Sequence, residues 1–256
     1  MNKNMMLAGV SALLVTTSGF ASGAHWGYEG HGGPAHWGDL ASEYTMCKTG
    51  KAQSPINIDT KTAAEGHNGQ KSVLKFDYSA MADNVVNNGH TIQVNMKKGS
   101  SVLINGAKYN LVQFHFHSPS EHEVNGKPYD MVAHLVHAND KGQLAVIAIM
   151  FRKGHENKEL KKVWANLPGH SGGKHSLTAM HVNPANLLPT RAAHYHYTGS
   201  LTTPPCSEGV NWNVMATPVE ASAEQIAAFV KLFPKSVRPV QGVNHRKIVH
   251  NMGGIS

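Results

Sequence analysis

The run Gln113-Phe114-His115-Phe116-His117 alternates polar and aromatic side chains at every step. In an extended strand, that alternation sends Gln113, His115 and His117 to one face and Phe114 and Phe116 to the other. The run therefore reads as a strand whose polar face brings two imidazoles together. If Met131-Val132-Ala133-His134-Leu135-Val136 pairs beside it, His134 joins them. Three neutral nitrogens would then leave one corner of a zinc tetrahedron free for water, the arrangement of a catalytic zinc site. Spacing alone leaves a second reading open, in which these are ordinary satisfied strand histidines. The chain has 18 histidines, and it repeats the spacing in His194-Tyr195-His196 without an evident third partner.

Working outward, short β-branched or aromatic runs dominate: Val73 to Phe76, Val85 to Asn87, Thr91 to Val94, Ser101 to Ile104, Asn110 to His117, Met131 to His137 and Leu144 to Met150. Gly, Asn, Asp and Pro separate them as turn signals. Helical signals are few. Leu160, Val163, Trp164 and Leu167 fall at the i, i+3, i+4, i+7 spacing of one helix face, and Pro168 stops the run. Ser222-Ala223-Glu224-Gln225 is a capping box, followed by Ile226, Phe229, Val230 and Phe233 on an apolar face that ends at Pro234. The pattern predicts a mainly β single domain with few short helices, built on a large, mostly antiparallel, twisted central sheet. An aromatic and glycine-rich entry from His25 to Gly38 reads as irregular structure wrapped on that domain.

Residues 1–21 read as a secretory signal, with one positive charge at Lys3, an apolar run too short to span a bilayer, and small residues before cleavage after Ala21 or as late as Ala24. The mature domain is then 22–256, exported to the periplasm or secreted, with no membrane span. Export meets an oxidising compartment, so Cys47 and Cys206 are expected to pair. A loop that long could add roughly 3–5 kcal/mol of stability. The formal charge is +7, or +6 once Lys3 is removed. Lys and Arg are scattered rather than clustered with aromatics, which argues against a nucleic-acid face. A homodimer is left open.

Glu121 and the stretch Ser200-Leu201-Thr202-Thr203-Pro204-Pro205 supply what a zinc site needs next. A threonine hydroxyl can orient a nucleophile if its own proton is committed to a buried carboxylate, and Thr202 with Glu121 offers such a pair. The plain readings are a solvated strand-end carboxylate and a turn.

At this point the chain resembles the α-class carbonic anhydrases. The matching motifs are Gln53 to Ile58, Asn87-Asn88-Gly89-His90, Gln113 to His117, Ser120-Glu121-His122, His134 to His137 and Ser200 to Pro205, in the family's order. The likeness runs from about Trp26 to Ile248. It implies zinc held by His115, His117 and His134, with Gln113 supporting His115. It implies a catalytic pair, Thr202 with Glu121, and His90 as proton shuttle, with Tyr28 and Gln93 ordering water between shuttle and metal. Thr203 would sit beside the bound water, and Val136, Val146, Leu201, Val210 and Trp212 would form the apolar wall that holds carbon dioxide. Cys47 and Cys206 match the disulfide typical of bacterial members. The reaction implied is attack of zinc-bound hydroxide on carbon dioxide to give bicarbonate, with the proton exported through His90.

One position departs from the family. Val132 stands where a Glu usually accepts the other ring N–H of the third ligand, so His134 loses that acceptor and His122 a shared partner. Losses of this kind cost about 10–100-fold in metal affinity or activity. Two other readings remain at this stage. His115-x-His117 with Glu121 also fits a cupin-type HxHxxxE set for iron or manganese on a β-barrel, although Tyr109 stands where that motif wants glycine. The other is a noncatalytic exported binding module on the carbonic anhydrase scaffold.

Overall fold

The computed structural model describes residues 25–66 and 72–253. The expected export signal lies outside them.

Seven strands carry the argument: β1 (Ala82–Asn87), β2 (Ile92–Met96), β3 (Ala107–His117), β4 (Met131–Ala138), β5 (Leu144–Lys153), β6 (His194–Ser200) and β7 (Glu208–Met215). They lie side by side in the order β1-β2-β3-β4-β5-β7-β6 within a 13-stranded sheet. Neighbours among these seven run antiparallel except β5 and β7, which are parallel. Parallel pairs also join Val219–Ala221 to β5 and Val249–Asn251 to Ala64–Glu65. The sheet is therefore mixed and mostly antiparallel, as expected, and open rather than closed into a barrel. Lys174–Ser176 lies beyond β1, and Ala64–Glu65 ends the other side.

β5 explains why two cores form. Its apolar run is continuous and buried on both faces, as a strand covered on both sides must be. Ile147, Ile149 and Phe151 face one core, while Val146, Ala148 and Met150 face the other. The alternation in β3 and β4 follows the same division. Phe114, Phe116, Ala133 and Leu135 enter the first core, so His115, His117 and His134 stand on the second face with Trp212 and Tyr197.

Two helices cover the first core: α1 (Lys158–Trp164) and α2 (Ala223–Leu232). Asn157 caps α1 by accepting from the amides of Glu159 and Leu160, and both bonds of the Ser222–Gln225 capping box are formed. Leu160, Val163, Ile226, Phe229 and Phe233 are buried against the sheet. Val230, expected on the apolar face, is 36% exposed. α1 ends at Trp164, so Leu167 packs on the core from beyond the helix.

The aromatic entry wraps the domain without forming one. Its anchor is Trp37, which is fully buried and donates its indole N–H to the carbonyls of Gly27 and Gly32. Among the described residues, no helix is long and apolar enough to cross a membrane.

Candidate metal centre

Pairing between β3 and β4 sets His134 directly opposite His115. With His117 on the same face, the three offer ring nitrogens that all lie within 4.8 Å of one another. Two rings are turned by an acceptor on the far nitrogen. His115 Nδ1 donates to Gln113 Oε1 at 2.9 Å, and His117 Nδ1 donates to the carbonyl of Ser236. Each bond leaves Nε2 as a bare lone pair. For His134 the inward atom is Nδ1, which lies 3.9 Å from Glu121 Oε2, while His117 Nε2 lies 3.6 Å from the same oxygen. Burial lowers the pKa of His115 to about 3 and that of His134 well below its usual value, so both are neutral and able to bind a metal. His117 Nε2 is buried with no hydrogen-bond partner among the described residues. A lone pair facing two others in a dry setting is what a divalent cation would satisfy, and three imidazoles suit zinc.

Glu121 is 1% exposed, not a solvated strand end. Its Oε1 accepts the amide N–H of Arg238 at 2.9 Å. Burial raises its pKa, opposed by His117, the Arg238 amide, the Thr202 hydroxyl and the Arg238 charge. The Thr202 hydroxyl is thus close enough to favour the charged carboxylate, and Oε2 has no hydrogen-bond partner among the described residues. The Arg238 guanidinium donates to Gln53 Oε1, the Ser54 carbonyl and the Cys47 carbonyl. Gln53 in turn donates to the Cys206 carbonyl, and Cys47 and Cys206 are bonded to each other. One arginine therefore joins the carboxylate to both halves of the disulfide.

Beside the three histidines a cavity of about 140 Å³ is lined by Tyr28, His90, Gln93, Gln113 and Thr203 with His115 and His117. His90 sits in a turn where Asn88 Oδ1 accepts the amides of His90 and Thr91. Gly89 adopts φ +88° there, a conformation that suits glycine. The His90 ring stacks on Trp26 with centroids 3.8 Å apart. Val146, Val210 and Trp212 form one apolar cluster, with Val136 and Leu201 packed against it.

The departure at Val132 has a visible consequence. His134 Nε2 and His122 Nδ1 are buried and have no partner among the described residues, and His122 Nε2 pairs with the Tyr197 hydroxyl at 2.6 Å. The second HxH stays structural. His194 Nδ1 donates to the Ala192 carbonyl and His196 Nδ1 to that of Trp212, and neither belongs to the metal group. Sequence reasoning missed Ser236, Arg238, Tyr197 and Trp26. The Ser236 carbonyl and the Arg238 amide are backbone groups, which carry no residue signature, while the Arg238 guanidinium, Tyr197 and Trp26 act through contacts between segments far apart in the chain.

A family model described as eukaryotic-type carbonic anhydrase matches residues 32–252. The chain is 41% identical over 235 residues to the carbonic anhydrase of Nostoc sp., covering 92% of this chain and 89% of the relative. It is 43% identical over 227 residues to that of Pectobacterium atrosepticum, covering 88% and 91%. The solved α-carbonic anhydrase of Thermovibrio ammonificans, in complex with the inhibitor sulfanilamide, superposes with a TM-score of 0.85 at 49% identity over 89% of this chain and 99% of that one. Matched sequence and matched fold agree: the chain belongs to the eukaryotic-type, or α-class, carbonic anhydrase family.

Proposed function

We propose that this protein is a zinc enzyme that interconverts carbon dioxide and bicarbonate outside the cytoplasm. The observation that carries the reading is the convergence of ring nitrogens from His115, His117 and His134 within 4.8 Å, two of them kept unprotonated on the inner side by their outer hydrogen bonds. When bound there, zinc brings the pKa of a water down to about 7, so that a nucleophile exists at neutral pH. Every other task falls to side chains. Thr202, biased by buried Glu121, presents an acceptor that aims the nucleophile, and Thr203 adds a second hydroxyl at the cavity. Val136, Val146, Leu201, Val210 and Trp212 hold carbon dioxide by shape rather than affinity, so their contribution is placement. His90, with water ordered by Tyr28 and Gln93, carries the released proton to buffer. Glu121 is not a ligand in this reading, because the convergent group consists of His115, His117 and His134 and does not include its carboxylate. The open sheet also disfavours the cupin alternative.

Export of a single domain, 22–256, after removal of 1–21 is part of the proposal, supported by the bonded cysteines. Metal analysis with stopped-flow hydration of the purified protein tests it. One zinc per chain with fast hydration is expected, and both should fall sharply in His134→Ala. Zinc without turnover would favour the binding module. Iron or manganese in its place would sink the assignment.

A further inference from the structure

His134 and His122 pose a hydrogen-bonding problem that the zinc reading leaves unsolved. With Nδ1 turned toward the other two ligands, His134 carries its ring proton on Nε2. For His122 the proton's place follows from a chain of hydroxyls. Ser54 Oγ accepts the Ser200 amide at 3.1 Å and lies 2.8 Å from the Tyr197 hydroxyl, which lies 2.6 Å from His122 Nε2. If Tyr197 donated to Ser54, the Ser54 proton would find no acceptor among the described residues. The satisfied direction is Ser54 to Tyr197 to His122 Nε2, which puts the His122 proton on Nδ1. Both buried, unpartnered nitrogens are therefore donors.

The two rings lie close together, with centroids 6.2 Å apart, and each packs against Trp212, at 4.7 and 4.9 Å. Val132, fully buried on the same strand face as His134, offers nothing to accept. A water taking both N–H bonds would have its own two protons left over among apolar neighbours, which costs free energy. An anion leaves no proton over, and the cost of burying its charge is opposed by the two N–H donors and by the charge of a metal one ring away.

We propose that His122 Nδ1–H and His134 Nε2–H together bind a small monovalent anion of chloride size, which serves His134 as the acceptor that Val132 cannot be. The proposal rests on the zinc reading above. The test uses zinc-loaded protein whose metal content is measured first, so that a chain without zinc sinks that reading, whereas one zinc per chain with no halide effect sinks the anion alone. Zinc loss to a chelator is followed in chloride and in gluconate at equal ionic strength. Loss should be about tenfold slower in chloride, at the low end of what an outer acceptor contributes. Val132→Glu, which supplies the acceptor covalently, should lose zinc slowly in both salts. An equal chloride effect in parent and variant would put the halide on the metal and overturn the proposal. Because a buried carboxylate can cost that variant its fold, a second measurement needs no variant. Crystals of the zinc-loaded parent grown in bromide should give an anomalous peak within hydrogen-bond reach of both nitrogens, and its absence there would overturn the proposal equally.

Discussion

Thr202 and His90 separate two tasks that a rate measurement would otherwise merge. In the mechanism proposed above Thr202 acts on the nucleophile and leaves the imidazoles alone, so Thr202→Ala should retain one zinc per chain while hydration slows by about 100-fold or more, the scale of a lost orienting contact. An unchanged rate would remove Thr202 from the mechanism. His90 makes no bond to carbon. His90→Ala should lower the maximal rate in dilute buffer, recover with added imidazole, and leave isotope exchange between carbon dioxide and bicarbonate nearly intact. Partial burial, and then the nearby His25, lower the His90 pKa from its ordinary 6.5. A lowered pKa means the ring holds its proton less tightly, so the inflection that His90 contributes to the pH profile should lie below 6.5 and move upward in His25→Ala. Movement downward in that variant would show that His25 does not act on His90 through charge. The motif singles out His90, and the structure sets it at the cavity beside His115 and His117. Its stacking on Trp26 was not legible in the sequence, because no local pattern brings an entry-segment indole to a turn beyond β1.

The elements show why some sequence signals survived folding intact. Gln225 is fully determined by four residues of local sequence as a capping partner, and it does more once folded. Its Oε1 accepts the amides of Ser222 and Asn157, and its Nε2 donates to the Asn157 carbonyl, tying the start of α2 to the start of α1. Gln225→Ala should therefore cost about 1–3 kcal/mol, since truncation strips partners from several buried or half-buried groups. A lower urea midpoint with unchanged hydration checks this, because both helices cover the face of the sheet away from the histidines. Strands β6 and β7 were not picked out. Gly199, Asn211, Asn213 and the histidines of β6 break the apolar alternation that identifies a strand, and pairing of β7 with β5, of β6 with Val249–Asn251 and of the two with each other makes them strands.

For the whole molecule, the bonded cysteines close a span of 159 residues. Cys47→Ser with Cys206→Ser should lower thermal stability by roughly 3–5 kcal/mol in the chain-entropy picture. Activity should fall as well if the Arg238 bridge to Glu121 loosens. An unchanged melting temperature would show that the bond constrains nothing. Acid stability follows from buried histidines away from the metal. His137 and His194 are lowered to about 4, by burial above all. Each binds its proton more weakly folded than unfolded, so the unfolded chain takes up more protons as pH falls. Stability is therefore complete above about 6.5, the unfolded value, and drains away as pH drops toward 4. Urea midpoints at pH 7.5 and 5 should differ in that sense. Equal midpoints would mean that these rings are not held neutral.

The strand carrying His115 and His117, the apolar strand carrying His134 and the capped helix all stood in the sequence, because period-two alternation and capping are local properties of a chain. The same holds for the missing acceptor at Val132. What only the tertiary structure decided is how distant segments complete the site. The Ser236 carbonyl turns His117, the Arg238 amide holds Glu121, and the hydroxyls of Ser54 and Tyr197 fix which nitrogen of His122 carries the proton. These are backbone groups, or side chains whose partners lie 75 or more residues away. Their roles come from burial and direction, which exist only once the sheet has assembled.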